Sequence, residues 1–583
     1  MSSCAPRAGL TPTAGGLSRL TCSCASLMGH RAAAPQQSGP GCFKRCVDGS
    51  PVAVDELATA LRCLRQAHTG ARPAPARVAI VGAGAAGLAA ALALTRRGLA
   101  VVLLEAEQRV GGRARTARVA GGAYDLGATW LHGRSARQNP LWGFGPTESE
   151  SPGASSRPQG RAAVGARGRA PRLPVRWALG ETGAEADGEA AQRCARAYGR
   201  ALDECLRAAG GLELRGWPEG AALPPDVGTA VQRLLSDAAP HSGAAPTTPL
   251  AAEASGVEPI LAQRAFRWRQ QLEGSISGCE RVSELSLPAW GECEELPGAV
   301  RASSRWRGGF AALLEGAAAA LPGSADLRLG RRVSSLAWGP DGGGTAGAGS
   351  VRLTHEGPEG DSETLEADHA VVTASLGVLK EVVDGGGGLS LQPALPETKA
   401  SAIRRLGFGT VDKVLLRYEA PWWEGLWGRL HVLWDDPPGG GAPEPAWVRG
   451  VYSLSPEPGG LGLECWLSGH SAREMEAAGE EEVAAALHAL AVRCAGPLPA
   501  EAPRPSGLLR SAWGSHHGFR GSYSYVPTGA SGTDIDELAR PEGGRARLVL
   551  AGEHTHRTYY SYAHGAWLSG VRAAEAVLAH YQA

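Results

Sequence analysis

One stretch, residues 78–105, constrains the fold more than any other part of this sequence. It contains an apolar β-prone run, three glycines at G-x-G-x-x-G spacing, an alanine- and leucine-rich segment typical of a helix, and a second apolar run. Gly82 permits the tight turn, Gly84 lets a pyrophosphate approach the backbone, and Gly87 lets helix and strand pack closely. Glu105 ends the second strand, where it can accept hydrogen bonds from a ribose diol. The stretch therefore predicts a dinucleotide-binding βαβ unit, without telling which dinucleotide it binds.

Length and charge limit what the rest of the chain can do. With 583 residues it is too long for one simple core, so we expect two or more domains. Basic and acidic residues are equal in number, 58 each, which removes the electrostatic reason to expect nucleic acid or an anionic membrane as partner. We also expect no membrane span, because no apolar run is long enough. The oligomeric state stays open.

The N-terminal segment has a composition of its own. Residues 1–47 contain five basic residues and no acidic one, and Ser, Thr, Ala and Cys fill much of the rest. This is typical of an organellar transit peptide. A disordered segment without a targeting signal is an equal alternative. Either way we place residues 1–75 outside the fold, and we expect a cytoplasmic or organellar protein.

The remaining sequence alternates helical and strand patterns. Residues 143–182 are rich in Gly, Pro, Ser, Ala and Arg and lack periodicity, which predicts a low-complexity insertion. Helical spacing returns at 188–209, and residues 413–418 have the pattern of a strand. Three glutamates open a predicted helix at 480–494, where they suit the positive end of the helix dipole. A late strand from Leu548 followed by a helix indicates that the C-terminus returns to the nucleotide-binding domain.

Several ordered motifs make the prediction specific. The run R-V-G-G-R-A-R-T at 109–116 resembles the R-x-G-G-R-x-x-T signature of flavin-dependent amine oxidases, which points to FAD. Other blocks that resemble this family are D-L-G-A-T-W-L-H-G at 125–133, L-G-F-G-T-V-D-K at 406–413, L-R-S-A-W-G-S at 509–515, F-R-G-S-Y-S-Y at 519–525, A-G-E-H-T-H-R-T-Y-Y at 551–560 and H-G-A-W-L-S-G at 564–570. The similarity runs from about residue 76 to the end. It is nearest to polyamine oxidases of the spermine oxidase and N-acetylpolyamine oxidase kind.

The resemblance implies a two-domain amine oxidase fold of the α/β class. A Rossmann-like FAD-binding domain would combine with a discontinuous α+β substrate-binding domain. The expected FAD-binding segments are 76–142, 301–384 and 520–583, and the expected substrate-binding segments are 183–300 and 385–519.

The resemblance also assigns roles to individual residues. Residues expected to hold FAD are Gly82, Gly84, Gly87, Glu105, Arg113, Val333 and Glu553, with Thr129, Trp130, Tyr562 and Ala563 beside the flavin. Lys413 resembles the lysine that holds a water against flavin N5. Tyr523 and Tyr562 match the positions that flank the substrate amine, and His132 matches the histidine at the pocket mouth. No cysteine follows Cys494, so we expect non-covalent FAD.

The chemistry of amine oxidation explains these residue types without reference to the resemblance. Amine oxidation needs hydride delivery from the carbon beside an uncharged amine, and an aromatic pair can steer that amine while attracting its charged form. A lysine buried beside a flavin would have its charged form disfavoured, so that it could relay protons. The flavin would supply the redox step and the protein the position and the field.

Each assignment has a plainer alternative. Lys413 could be a solvated strand-edge lysine, and the two tyrosines ordinary core aromatics. His132 could be a structural, hydrogen-bonded histidine. His554, His556 and His564 suggest a metal, but the adjacent Glu553 favours structural or flavin-loop roles, and we expect no metal.

The sequence departs from the family at the substrate. Many animal-type members have two threonines where this chain has Tyr562 and Ala563, and spermine oxidases have a glutamate and a serine where it has Ser275 and Ser277. The missing carboxylate weakens the case for strict spermine preference. The leading hypothesis is a polyamine oxidase that uses dioxygen and forms hydrogen peroxide. The alternatives are a histone-lysine demethylase-like or monoamine oxidase-like enzyme, or a non-catalytic FAD-binding partner protein. A copper amine oxidase is excluded, because those enzymes make their quinone from a tyrosine directly after an asparagine, and the sole asparagine, Asn139, is followed by proline.

Overall fold

The computed structural model describes residues 76–119, 122–145, 174–209, 222–236, 249–293, 303–306, 308–339, 351–435, 444–457, 460–498 and 501–581. The predicted N-terminal extension, 1–75, lies outside these ranges, as does most of the predicted insertion at 143–182. Within the described ranges, no helix is both long and apolar enough to cross a membrane. The cysteines in these ranges are buried thiols.

The strands and helices follow one another along the whole described chain. The strands are β1 (Arg77–Val81), β2 (Ala100–Leu104), β3 (Thr116–Val119), β4 (Gly122–Asp125), β5 (Trp130–Leu131), β6 (Val175–Leu179), β7 (Ser304–Arg305), β8 (Ala325–Arg328), β9 (Val333–Ala337), β10 (Val351–Glu356), β11 (Ser362–Ala367), β12 (His369–Val372), β13 (Ser390–Gln392), β14 (Gly407–Gly409), β15 (Val411–Arg417), β16 (Arg429–Leu433), β17 (Ser453–Pro456), β18 (Gly462–Ser468), β19 (Gly507–Arg510), β20 (Tyr523–Tyr525) and β21 (Leu548–Leu550). The helices are α1 (Ala85–Arg96), α2 (Gly188–Ala209), α3 (Val227–Ser236), α4 (Pro249–Ala254), α5 (Pro259–Ser277), α6 (Leu287–Trp290), α7 (Ala311–Ala319), α8 (Leu376–Val383), α9 (Glu397–Arg405), α10 (Gly469–Ala477), α11 (Glu480–Cys494), α12 (Gly532–Ala539) and α13 (Ala563–Leu578).

A parallel sheet forms the nucleotide-binding part of the molecule. Among the described strands its order is β21-β12-β1-β2-β8, and every pairing is parallel. Val78, Ala79 and Ile80 of the central strand β1 are fully buried, as expected for a strand covered on both faces. The sequence-based prediction of a Rossmann-like unit is confirmed.

The C-terminus returns to this sheet, as predicted. Strand β21 forms its edge beside β12, and helix α13 then packs against α1. The contact is close because a Cβ on Gly570 of α13 would lie only 2.0 Å from the carbonyl oxygen of Ala86 in α1. Helix α13 therefore covers one side of α1, the helix that follows the glycine turn.

A second group of elements forms the opposite side of the site. The described strands of its sheet run β19-β15-β18-β17-β16-β6. Helix α11 packs on the buried core of that sheet, and α2, α3 and α5 share a separate core. The helix predicted at 188–209 is confirmed as α2, and its buried face includes Cys194, Tyr198, Leu202 and Cys205.

Two predicted boundaries differ from the structure. The insertion predicted at 143–182 ends too late, because Val175–Leu179 forms β6 and pairs in parallel with β16. The substrate-binding segment predicted to begin at 385 starts too early. Strand β13 pairs with β9, and Ile403 of α9 belongs to the same core as β1. Both elements owe their position to distant partners, which a local pattern does not reveal.

Candidate functional site

A cavity of about 530 Å³ lies where the parallel sheet meets the second group of elements. Its walls include the residues that follow the carboxyl ends of β1, β2, β12 and β21. This edge is where open parallel sheets bind their ligands. All the sequence-predicted site residues line the cavity with the exception of Gly87.

The three glycines of the first turn have distinct structural roles. Gly82 has a φ of +101°, and its N–H donates to the carbonyl of Leu104 over 2.7 Å. A Cβ on Gly87 would lie 1.9 Å from the carbonyl oxygen of Gly82, so this position packs helix against strand. A Cβ on Gly84, the N-cap of α1, would meet nothing within 4 Å. Gly84 therefore faces open space at a helix N-terminus, where a phosphate binds favourably.

Glu105 lies at the end of β2, beside this turn. Its carboxylate accepts hydrogen bonds from the N–H groups of Ala83 (2.6 Å) and Glu107 (2.9 Å). Burial raises the pKa of Glu105, and these two hydrogen bonds oppose the rise. Each carboxylate oxygen has a second lone pair, which leaves acceptor capacity for a ribose diol.

Arg113 and Glu553 form an ion pair that joins two distant parts of the chain. Their Nη1 and Oε1 atoms are 2.9 Å apart, and Arg113 also donates to the carbonyl of Ser522. Glu553 accepts hydrogen bonds from the Ser524 hydroxyl (2.6 Å) and the Ser561 N–H (2.7 Å). Burial alone would raise the pKa of Glu553, but the Arg113 guanidinium and the Ser524 hydroxyl help to lower it overall. The pair is a fixed, charged element of the cavity wall.

Lys413 is a buried cation at the other end of the cavity. It is 6% exposed, and its Nζ donates to the carbonyls of Gly127 (2.6 Å) and Asp125 (3.2 Å) and to the hydroxyl of Thr129. Burial lowers its pKa to about 8, against the carboxylates of Glu464 and Asp125, which raise it. The alternative of a solvated lysine is wrong. A lysine with this pKa can exchange protons near neutral pH.

Two tyrosines and a histidine complete this end. The hydroxyl of Tyr523 donates to the carbonyl of Ser275. The Tyr562 ring packs edge-on against His132, with ring centroids 5.1 Å apart. His132 Nδ1 lies 2.9 Å from Ser303 Oγ, and burial lowers the pKa of His132 to about 4. His132 is therefore neutral, and it combines a structural hydrogen bond with a place in the cavity wall.

The other histidines of the C-terminal motif lie behind this wall. His564 packs against Tyr562 with ring centroids 4.9 Å apart, and burial holds its pKa well below the usual range. His554 is fully buried, and burial lowers its pKa to about 4. Within the described ranges, no group of three or more His, Cys, Asp or Glu side chains is placed to hold a metal ion.

Sequence reasoning missed several aromatic residues of the wall. Tyr452, Trp466 and Trp513 line the cavity, and the Trp513 indole N–H donates to the carbonyl of Leu126. Trp466 is the cross-strand partner of Lys413, and its ring centroid lies 4.5 Å from Lys413 Nζ. The pairing of β15 with β18 was the missing information, since neither strand carries a motif that names its partner.

Comparisons with known proteins decide the family. The model of flavin containing amine oxidoreductases matches residues 241–578, and that of NAD(P)-binding Rossmann-like domains matches residues 80–144. This chain belongs to the flavin-containing amine oxidoreductase family. It is an enzyme, a flavin-dependent amine oxidase, and its cofactor is FAD.

Named relatives agree with this assignment. The chain is 31% identical to human peroxisomal N(1)-acetyl-spermine/spermidine oxidase, over 87% of this chain and 96% of the relative. It is 32% identical to polyamine oxidase 1 of rice (Oryza sativa subsp. japonica), over 87% of this chain and 98% of the relative. The structure of wild-type putrescine oxidase bound to putrescine matches with a TM-score of 0.57 at 21% identity, over 87% and 99% of the two chains. This last likeness concerns the fold.

The cavity fits the cofactor. The space beside Gly84 and the N-terminus of α1 suits a pyrophosphate, and Glu105 suits a ribose. The walls continue without interruption from this cradle to Thr129, Trp130 and Lys413, where a flavin ring would lie. Val333 and Ala563 also line the cavity, and their role in FAD binding stays a prediction.

Proposed function

We propose that the protein oxidises a secondary amine of a polyamine: spermine, spermidine or an acetylated derivative. The observation that carries the proposal is the meeting of Lys413, Tyr523, Tyr562 and His132 at one end of the FAD cavity. The substrate would lose a hydride and a proton to become an imine, and dioxygen would be reduced to hydrogen peroxide. Water would then split the imine into an aldehyde and a shorter amine.

The protein's own groups bind the reactants and move protons. FAD, when bound, supplies the two-electron acceptor for the carbon beside the amine nitrogen. Gly84, Glu105 and Arg113 would hold its dinucleotide part. Tyr523 and Tyr562 would flank the amine, since aromatic faces attract the ammonium and orient the neutral amine. Lys413, with a pKa of about 8, would exchange a proton with a water at the reacting centre.

The charges of the cavity wall favour a substrate with a masked terminal amine. The carboxylates that line it are Glu105 and Glu107 after β2, Glu381 in α8 and Glu553 after β21. The end near Lys413 has a wall of aromatic and neutral residues, with Ser275 in place of a carboxylate. At that end, the described wall would offer a free terminal ammonium no carboxylate partner. We therefore propose N-acetylated polyamines as better substrates than free spermine.

We also propose that FAD is held without a covalent bond. The described wall of the cavity includes no cysteine that could attach to the flavin, and no cysteine follows Cys494 in the sequence. Acid precipitation of the yellow protein should leave the flavin in the supernatant. Flavin retained in the pellet would refute this part of the proposal.

A panel of amines tests the proposed substrate. The holoenzyme is mixed in air with N-acetylspermine, spermine, spermidine, a dimethyl-lysine peptide and benzylamine, and hydrogen peroxide and the amine products are measured. We expect the highest kcat/KM with N-acetylspermine and a shorter polyamine among its products. Turnover of the peptide or of benzylamine alone would favour a demethylase-like or monoamine oxidase-like enzyme. Flavin binding with no turnover of any amine would favour a non-catalytic FAD-binding protein.

Lys413→Met and Lys380→Met form a matched pair in the same assay. Lys413→Met should retain FAD and lose most of the turnover, because the buried proton carrier is gone. Lys380 donates to the carbonyl of Arg404 outside the cavity wall, and its variant should keep the wild-type rate. Equal rates in both variants would remove Lys413 from the proposed mechanism.

A further inference from the structure

Glu464 is a partly buried carboxylate next to the Lys413 end of the cavity, and the family-like motifs of the sequence do not include it. It lies on β18, and its side chain is 14% exposed. It does not line the cavity. Its partners, however, are two side chains that frame the predicted site.

The first partner is Trp466, two residues along the same strand. Trp466 Nε1 donates to Glu464 Oε1 over 2.9 Å. The indole ring then faces Lys413, whose Nζ is 4.5 Å from the ring centroid. Lys413 and Trp466 are directly opposed in the antiparallel register of β15 and β18, so the three side chains share one face of the sheet. The Glu464 carboxylate thus fixes the Trp466 ring, which contacts Lys413.

The second partner is Arg305 on β7. Its Nη2 lies 3.2 Å from Glu464 Oε1, and its guanidinium lies 5.0 Å above the Trp130 ring. Arg305 and Trp130 are opposed in the short β5–β7 ladder. Glu464 Oε1 therefore orients one partner in each of two cation–π contacts. The first is between Lys413 and Trp466, and the second is between Arg305 and Trp130, the tryptophan predicted to lie along the flavin.

We propose that Glu464 is a positioning residue for the amine oxidation proposed above, because it fixes Trp466 and Arg305 and preserves the ability of Lys413 to carry a proton. The inference rests on the proposed role of Lys413. Glu464 touches neither the cavity nor the reacting atoms; it acts through Trp466, Arg305 and Lys413.

The charges around Lys413 give the sign of the effect. Lys413 is faced by Glu464 from β18, Asp125 from β4 and Arg305 from β7. Burial lowers the pKa of Lys413 to about 8, and the Glu464 carboxylate is the strongest group opposing that fall. Loss of this negative charge should therefore lower the pKa of Lys413 further.

The surroundings of Glu464 decide whether the carboxylate is ionised. Burial would raise its pKa, but Arg305 and Lys413 outweigh burial and lower it overall. Its field also acts on Arg429 and on the Tyr452 hydroxyl. Glu464 therefore carries its charge at neutral pH, and removing the charge is a real perturbation.

Glu464→Gln tests the proposal directly, since the amide keeps an acceptor for Trp466 and removes the charge. The holoenzyme is exposed briefly to acetic anhydride across a pH series, and acetylation of Lys413 is measured by mass spectrometry. We expect the labelling midpoint to fall by about half a pH unit or more, which is ~threefold more labelling at pH 7. The pH profile of flavin reduction by N-acetylspermine should shift in the same direction.

Three further variants make the result decisive. Glu464→Asp keeps the charge and should restore the midpoint. Arg305→Gln removes a positive charge that lowers the pKa of Lys413, so it should raise the midpoint. This variant tests the proposal even if Glu464→Gln does not fold. Glu457→Gln removes another buried carboxylate, which acts on Tyr124 instead, and should leave the midpoint unchanged.

An unchanged midpoint in Glu464→Gln, or an equal shift in Glu457→Gln, would overturn the proposal. The labelling readout does not depend on turnover. Absence of flavin reduction by any polyamine would therefore refute the proposed function and leave the link between Glu464 and Lys413 standing.

Discussion

Gly84→Ala and Gly87→Ala should impair different properties, because the two glycines face different surroundings. A Cβ on Gly84 meets open space within 4 Å, in the cavity, whereas a Cβ on Gly87 meets the carbonyl oxygen of Gly82 at 1.9 Å. We predict that Gly84→Ala weakens FAD binding and leaves the fold intact. Gly87→Ala should destabilise the fold itself.

The magnitudes follow from the two contacts. At Gly87 the backbone must yield by more than an ångström, and such overpacking costs about 3 kcal/mol, offset by about 1 kcal/mol of helix propensity. A net loss of roughly 2 kcal/mol is expected. At Gly84 alanine is a somewhat poorer N-cap, which costs up to about 1 kcal/mol. Its methyl group enters the space of the pyrophosphate, so we expect at least about tenfold weaker FAD binding, or ~1.4 kcal/mol.

Two measurements separate these effects. Urea unfolding of the apoprotein gives the stability change, and fluorescence titration gives the FAD affinity. Wild-type FAD affinity in Gly84→Ala would show that the pyrophosphate does not approach this turn. Equal unfolding midpoints for the two variants would contradict the assignment of Gly87 to helix–strand packing.

Two further predictions concern buried charge. Lys399 is fully buried and donates to carbonyls at the end of α12 while pairing with Glu542 at 3.2 Å, so Lys399→Met should cost roughly 3–5 kcal/mol in urea unfolding. Lys380→Met should stay within about 1 kcal/mol of wild type, and equal losses would contradict the burial argument. His554 has a lowered pKa of about 4, so the unfolded state binds its proton first and stability falls as pH drops from 6.5 toward 4. His554→Leu should flatten this fall by up to roughly 3 kcal/mol, and an unchanged slope would contradict it.

The nucleotide-binding unit was predictable because its information is local. The apolar run, glycine spacing and helix at 78–105 lie within one βαβ unit, and each glycine has a steric reason for its place. The buried face of α2 was likewise visible in its helical spacing. Motifs that resemble the family then located Lys413 and both tyrosines, and the structure brings them to one cavity.

The setting of Lys413 was not predictable, because its partners are distant in sequence. Its Nζ reaches the carbonyls of Asp125 and Gly127 across more than 280 residues. Trp466 becomes its neighbour only through the register of β15 and β18. Strand β6 is an edge strand that follows a glycine- and arginine-rich region. Its strand structure is recognised only from its pairing with β16, which the local sequence does not reveal.

Anaerobic mixing of the holoenzyme with N-acetylspermine tests the central claim most directly. The claim is that the cavity joining the FAD cradle to Lys413, Tyr523 and Tyr562 oxidises a polyamine amine. The account predicts complete bleaching of the flavin absorbance, faster than with free spermine at the same concentration. A protein that contains its full complement of FAD and is bleached by no polyamine would contradict it.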